Sequence, residues 1–157
     1  MKKTLVAYFS ATGITEKAAK DLAKFADADL YQIRPEKDYT KEDLDWTNKQ
    51  SRSSIEMADK NSKPDIIKDL KNLGDYDVVY IGYPIWWHTN PKIINTFLES
   101  YDFKGETVIP FATSGGSKID KSCEDLKSLY PELKLGECML LNSYDENLLK
   151  TFINRNH

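Results

Sequence analysis

The stretch "KTLVAYFSATGITEKAA", residues 3–19, decides how the rest of the chain is read. Lys3–Phe9 is short, apolar and rich in β-formers, which predicts a buried strand. Thr15–Phe25 follows with Ala18, Ala19, Leu22, Ala23 and Phe25 on a helical stripe. Between the two, Ser10, Ala11, Thr12, Gly13, Ile14 and Thr15 supply three hydroxyls and one glycine, and no lysine. Free N–H groups at a helix N-terminus, with the helix dipole behind them, bind anions without a cation. Three hydroxyl donors and a tightly curling glycine add to that, so a terminal phosphate monoester fits the loop. A helix start capped by Ser10 or Thr12 fits it equally. Neither the GxxxxGK[ST] of nucleotide triphosphatases nor the GxGxxG of dinucleotide binders is present.

The same alternation runs to the end of the chain. Asp29–Arg34 predicts a second strand, Asp77–Tyr83 a third, Thr107–Ala112 a fourth and Leu135–Leu141 a fifth. Helices are predicted from Pro64, which suits a first turn, to near Gly74, and over Pro91–Tyr101, Lys118–Leu129 and Glu146–Asn154. Glu36–Lys63 is polar, with Tyr39, Leu44, Trp46, Ile55 and Met57 as apolar anchors, and reads as loop plus one or two short helices. Such alternation predicts an α/β fold, a doubly wound five-stranded parallel sheet with helices on both faces. With 157 residues, no internal repeat and no low-complexity linker, one domain over residues 1–157 is expected.

Composition excludes several classes. Basic residues (22) and acidic residues (25) are mixed along the chain, for a net charge of −3, so no clustered basic face is expected for nucleic acid. No segment reaches the length of a membrane span. The start "MKKTLVAYFSATG" has too short an apolar run for a signal peptide and passes straight into a glycine turn. Cys123 and Cys138 show neither CxxC nor metal-ligand spacing, which predicts two reduced structural thiols, a cytoplasmic setting and no metal site.

In doubly wound sheets ligands sit outside the carboxyl ends of the strands. After the third predicted strand comes "GYPIWWHTNP", residues 82–91, with Trp86 and Trp87 between Pro84 and Pro91. Indole faces beside a flat aromatic ligand would explain two tryptophans in one loop, since offset stacking contributes roughly 0.5–1.5 kcal/mol beyond burial. The alternative is that one indole packs as core cover. His88 reads as a solvent-facing loop residue with no carboxylate partner. After the fourth strand, "ATSGGSKID", residues 112–120, offers small side chains and approachable amides from Thr113 to Gly116. A plain turn before a helix capped by Ser117 reads it as well. No His–carboxylate or Cys–His pair stands out, so no catalytic residue is assigned.

Together these loops resemble those of the flavodoxins. "SATGIT" matches the S/T-x-T-G-x-T phosphate-loop pattern at every specified position, and "YPIWW" and "TSGGS" resemble the two loops that hold the flavin ring. The likeness runs from Lys3 to the last helix. It is closest to the short-chain group whose ring loop reads P-I-W-W, there being no room for the long insertion that splits strand five in long-chain members. The resemblance implies strand order 2-1-3-4-5, three α/β/α layers and FMN as cofactor. By the same resemblance Ser10, Ala11, Thr12, Gly13, Ile14 and Thr15 hold the FMN phosphate. Pro84, Ile85, Trp86, Trp87 and His88 form one wall of the ring pocket, and Thr113, Ser114, Gly115 and Gly116 approach its pyrimidine edge. A phosphate held by neutral donors keeps its charge, and with an apolar pocket this disfavours further negative charge on the flavin, lowering its potential. One position departs from the family: relatives commonly carry glycine where this chain has His88. In flavodoxins a peptide here flips so that its carbonyl accepts a hydrogen bond from reduced flavin N5, and a non-glycine residue resists the positive φ involved.

The implied function is a low-potential electron shuttle between redox partner proteins. The alternative is an NAD(P)H-dependent FMN oxidoreductase reducing a quinone or similar small acceptor, with Tyr39–Lys63 roofing the flavin. That segment also reads as a solvated cover over the sheet edge. Flavodoxin shuttles are usually strongly acidic, which a net charge of −3 matches only weakly. A phospho-receiver of the same fold would need acidic residues where Ser10 and Tyr83 stand.

Overall fold

Side-chain alternation along three central strands builds two cores at once. The computed structural model describes residues 3–155, so Met1, Lys2, Asn156 and His157, the ends of the expected domain, lie outside the described residues. In β1 (Thr4–Tyr8), β3 (Val78–Pro84) and β4 (Thr107–Thr113), Leu5, Ala7, Val79, Ile81, Tyr83, Val108 and Ala112 face one core. Val6, Tyr8, Val78, Tyr80, Ile109 and Phe111 face the other. Strands buried on both faces read as continuous apolar runs, which is why the sequence shows them plainly.

The first core is closed by α3 (Lys92–Ser100), through Ile93, Ile94 and Phe97, and by Leu126 of α4 (Asp120–Leu129). The second is closed by α1 (Ile14–Ala26) and α5 (Glu146–Arg155), through Ala18, Ala19, Leu22, Leu149 and Phe152. With β2 (Asp29–Gln32) at one edge and β5 (Lys134–Leu135) at the other, the parallel order is β2-β1-β3-β4-β5. Both the order and the three layers are those the resemblance implies. Within the polar stretch after β2, α2 (Arg52–Ala58) is the expected short helix, capped by Ser51, whose Oγ accepts the Ser54 N–H.

Three expectations change. The fifth strand is interrupted: β5 ends at Leu135 opposite Val108, and β6 (Met139–Leu140) resumes opposite Phe111. The edge strand thus advances four residues while β4 advances three, a bulge of one. Its cause lies in β4. The carbonyls of Val108 and Ala112 accept from Gly136 and Leu141 on this side, so the alternation aims Pro110 the same way, and proline has no N–H to continue the ladder.

The helix expected from Pro64 to near Gly74 is absent, apart from a 3-10 turn at Leu73–Asp75. The backbone there pairs instead with the chain beyond β2: Ile67 N–H donates to Arg34 O and Glu36 N–H to Asp65 O, both at 2.9 Å, around an antiparallel Pro35–Ile66 bridge. Long-range pairing, with Ile66 buried, outcompetes the local helical pattern.

Finally, Cys123 of α4 and Cys138 in the bulge form a disulfide rather than two free thiols, with Cα atoms 6.5 Å apart. Spacing rules for CxxC and metal sites carry no information on a pair that only the sheet edge brings together.

Two stability outcomes are expected. A Cβ on Gly82 would collide with the Phe111 ring, so Gly82→Ala should cost about 1–3 kcal/mol in urea unfolding by overpacking; an unchanged midpoint would refute that contact. Reducing Cys123–Cys138, which closes a separation of 15 residues, should lower unfolding free energy by about 3 kcal/mol on the chain-entropy account. Cys123→Ser should mimic reduction and then show no response to dithiothreitol.

Candidate functional site

The carboxyl ends of the three central strands share one edge: the register pairs Pro84 with Thr113 at the ends of β3 and β4, and β1 ends two residues earlier, at Tyr8 opposite Gly82 and Phe111. All three loops singled out in the sequence therefore open onto one rim. They are also tied together: Phe9 N–H donates to Gly82 O at 2.9 Å and Ile85 N–H to Thr113 O at 2.8 Å. The hydroxyls of Thr15 and Thr113, both buried, share a 2.7 Å hydrogen bond.

In the first loop Gly13, at φ 94°, is the N-cap of α1, and no side chain caps the helix. The Ser10 hydroxyl instead accepts the N–H of Gly13 at 3.0 Å, curling the loop before the helix begins. Thr12, Gly13 and Ile14 are exposed, whereas Thr15 braces the fold through Thr113. A cavity of about 570 Å³ lies here between Thr12, Gly13, Ile14, Lys17, Asn142 and Tyr144. Lys17 is one turn into α1, and its ammonium is held by Asp21 at 2.8 Å.

The second loop is a two-residue turn. Trp86 and Thr89 exchange N–H···O bonds of 2.9 Å each, and between them Trp87 (φ 49°) and His88 (φ 66°) are both left-handed. Such primed turns favour glycine and asparagine, and left-handed backbone costs a non-glycine residue on the order of 1–3 kcal/mol. His88 thus adopts the positive φ that its side chain resists. Compensating contacts hold the turn: Thr89 Oγ1 donates to Asp125 Oδ2 at 2.5 Å, and His88 Nδ1 lies 3.3 Å from Ser117 Oγ. Burial pushes the Asp125 carboxyl up, but the Thr89 hydroxyl and the Lys121 ammonium outweigh it and hold the group below the usual carboxylate range.

The two indoles have different fates. Trp86 packs edge-on against Phe9 and Tyr39, with centroids 5.7 and 5.5 Å away, so it covers the core. Trp87 is 43% exposed at the rim.

The third loop is pinned by a residue that the sequence reading missed. Asn142, after β6, accepts the Ser114 N–H at 2.6 Å and donates to Ser114 Oγ at 3.0 Å. Ser117 does not cap α4, which starts at Asp120 without a side-chain cap; its carbonyl accepts the Ser114 hydroxyl. Gly115 and Gly116 are exposed, Gly116 at φ 147°. The rule that loops after parallel strands line one rim could have named Asn142. No local motif marks Ser117, Tyr39 or Asp125.

The chain belongs to the flavodoxin family, which its residues 3–156 match. In structure it is similar to a candidate flavoprotein from Bacteroides eggerthii DSM 20697, at 52% identity and a TM-score of 0.97, over 99% of this chain and 98% of that one. A second, from Bacteroides uniformis ATCC 8492, is also 52% identical, with a TM-score of 0.94 over 98% of each chain. A flavoprotein in complex with FMN from Lactobacillus acidophilus NCFM shares the fold at 24% identity, with a TM-score of 0.72 over 89% of this chain and 93% of that one. No curated protein matches the chain.

The Asp125 contact has a pH signature. Because its folded pKa is depressed, the stability it contributes is present above the unfolded value and is lost as pH falls through the folded one. Wild type should therefore lose stability faster than Asp125→Asn below about pH 4. Parallel pH–stability curves would show that Asp125 does not brace the turn.

Proposed function

We propose that this chain, as one domain of the short-chain flavodoxin group, binds FMN along this rim and carries electrons between redox partners. The observation behind the reading is the start of α1. Gly13 at φ 94° opens the helix, and no side chain caps it, which leaves first-turn N–H groups and the positive dipole end for an anion. Thr12 adds an exposed hydroxyl, and the Lys17 charge is already matched by Asp21. The phosphate loop therefore holds its ligand with neutral donors.

The other loops fit the ring. Trp87 offers an exposed indole, and Gly115 and Gly116 are exposed without side chains of their own, the Gly116 N–H donating to Ser114 Oγ at 3.3 Å. Asn142 and the Thr15–Thr113 pair keep those amides in place. FMN, when bound, supplies one- and two-electron redox chemistry. The chain contributes binding, an apolar wall and an uncompensated phosphate charge, which together favour a low potential. The interruption of the fifth strand spans only residues 136–138, which supports the short-chain placement.

An enzyme reading, in which NAD(P)H reduces the flavin and a quinone or similar small acceptor oxidises it, is favoured by one observation. Met57 and Lys60, at the end of the segment after β2, line a cavity of about 430 Å³ together with Trp87. Neither nucleic acid nor a membrane is needed as partner; among the described residues no helix is long and apolar enough to cross a membrane. The cytoplasmic expectation leaned on free thiols, and the disulfide removes that support.

An FMN titration followed by flavin fluorescence tests the proposal, with saturable quenching expected; none at micromolar FMN would sink it. Ser10→Ala with Thr12→Ala should weaken FMN about tenfold or more, as expected for lost hydrogen bonds to a charged group, and leave riboflavin unaffected. Equal weakening of both would refute the phosphate role. Bleaching of the bound flavin by NAD(P)H alone would favour the enzyme over the shuttle.

A further inference from the structure

We propose that the cleft beside Trp87 binds a small organic anion, a flat apolar body bearing a carboxylate, sulfonate or phosphate. The cleft has a volume of about 430 Å³, within the ~300–1,000 Å³ usual for small-molecule sites. Met57 comes from the end of α2 and Lys60 from the turn just after it, Trp87 from the strained turn, Lys92 from the start of α3, and Lys121 and Asp125 from α4. Met57, Trp87 and Leu129 supply apolar surface for the body of the ligand.

Charge decides its sign. Three ammonium groups line the cleft against one carboxylate, in a chain whose net charge is −3. Asp125 is already engaged by Lys121 at 2.9 Å and by the Thr89 hydroxyl at 2.5 Å. Lys60 and Lys92 form no ion pair among the described residues; Lys92 helps to hold the Asp125 carboxyl charged from a longer distance, and the surplus of positive charge over that one carboxylate is left for a ligand. An adjoining cavity of about 570 Å³ shares Lys60, Asn95 and Leu129 but shows no such surplus. There Lys63 is matched by Glu99 at 2.6 Å, and Glu99 also accepts the Tyr130 hydroxyl.

The floor of the cleft is preorganised. Asn90 and Asn95 are buried and joined at 2.8 Å, and Asn95 donates on to Tyr130 at 3.1 Å. Their polar atoms are engaged by each other and by Thr89, Pro91 and Tyr130, which leaves recognition to the lysines at the mouth. Because Trp87 is also the exposed wall of the proposed ring pocket, an anion bound here stands beside the flavin. That last link rests on the FMN reading; the cleft itself does not.

Isothermal titration of the chain with 1-naphthalenesulfonate and with neutral 1-naphthalenemethanol, with and without FMN, tests the proposal. The sulfonate should bind at least tenfold tighter than the alcohol. Lys60→Glu with Lys92→Glu should weaken the sulfonate at least tenfold and leave FMN affinity unchanged, and Lys60→Gln with Lys92→Gln should fall between. Equal binding of the two probes, or sulfonate binding indifferent to both double variants, overturns the proposal. So does binding of poly-glutamate without the sulfonate, which would make this a face for an acidic protein. If FMN fails to bind while the sulfonate responds as described, the flavin reading falls and the cleft stands.

Discussion

Thr15 and Thr113 lie 98 residues apart in sequence, yet their hydroxyls share a 2.7 Å hydrogen bond beneath the rim of the sheet. That contact exists because β1, β3 and β4 run parallel, in a register that ends β3 and β4 at one level and β1 two residues below them on the same edge. Parallel strands send every loop that leaves a carboxyl end out at the same edge of the sheet. Each loop leaving a carboxyl end then meets the others, whatever its own sequence favours. The candidate site is a consequence of that shared edge.

The rim also shows where local preference is overridden. Trp87 and His88 occupy backbone conformations suited to glycine, and the turn stands because Asp125 and Ser117, from two other segments, hold its Thr89 and His88. Strain kept by an over-determined surround is a feature of functional sites. Its effect here is to turn one indole outward while its neighbour covers the core against Phe9 and Tyr39. α4 serves the rim from below in three ways. Ser122 meets the Tyr83 hydroxyl at 2.6 Å, Asp125 takes Thr89, and Cys123 reaches the bulge before β6. The same bulge leads into Asn142, which pins the third loop, so an irregularity begun by Pro110 at the edge of the sheet ends at the site.

Charge is distributed unevenly around this frame. At the loop before α1 the nearby Lys17 is tied to Asp21. Beside Trp87 the balance reverses, with three lysines facing one carboxylate and Lys60 and Lys92 in no ion pair among the described residues. A modest net charge of −3 therefore says little about what the rim recognises; the local arrangement decides it.

The sequence by itself determined the strand order's ingredients and the three loops. Doubly buried strands are continuous apolar runs, and hydroxyl-rich or glycine-rich turns at their ends are local signals that survive without partners. Only the tertiary structure decided the rest. Whether residues 64–74 coil into a helix or pair with the chain beyond β2 turned on contacts with Arg34 and Glu36. Which indole faces outward turned on Phe9 and Tyr39, and the disulfide on a bulge that brings Cys138 to α4. Periodicity and turn chemistry act over a few residues, whereas edge pairing, burial of one indole over another and the meeting of distant side chains depend on partners that the fold alone brings near.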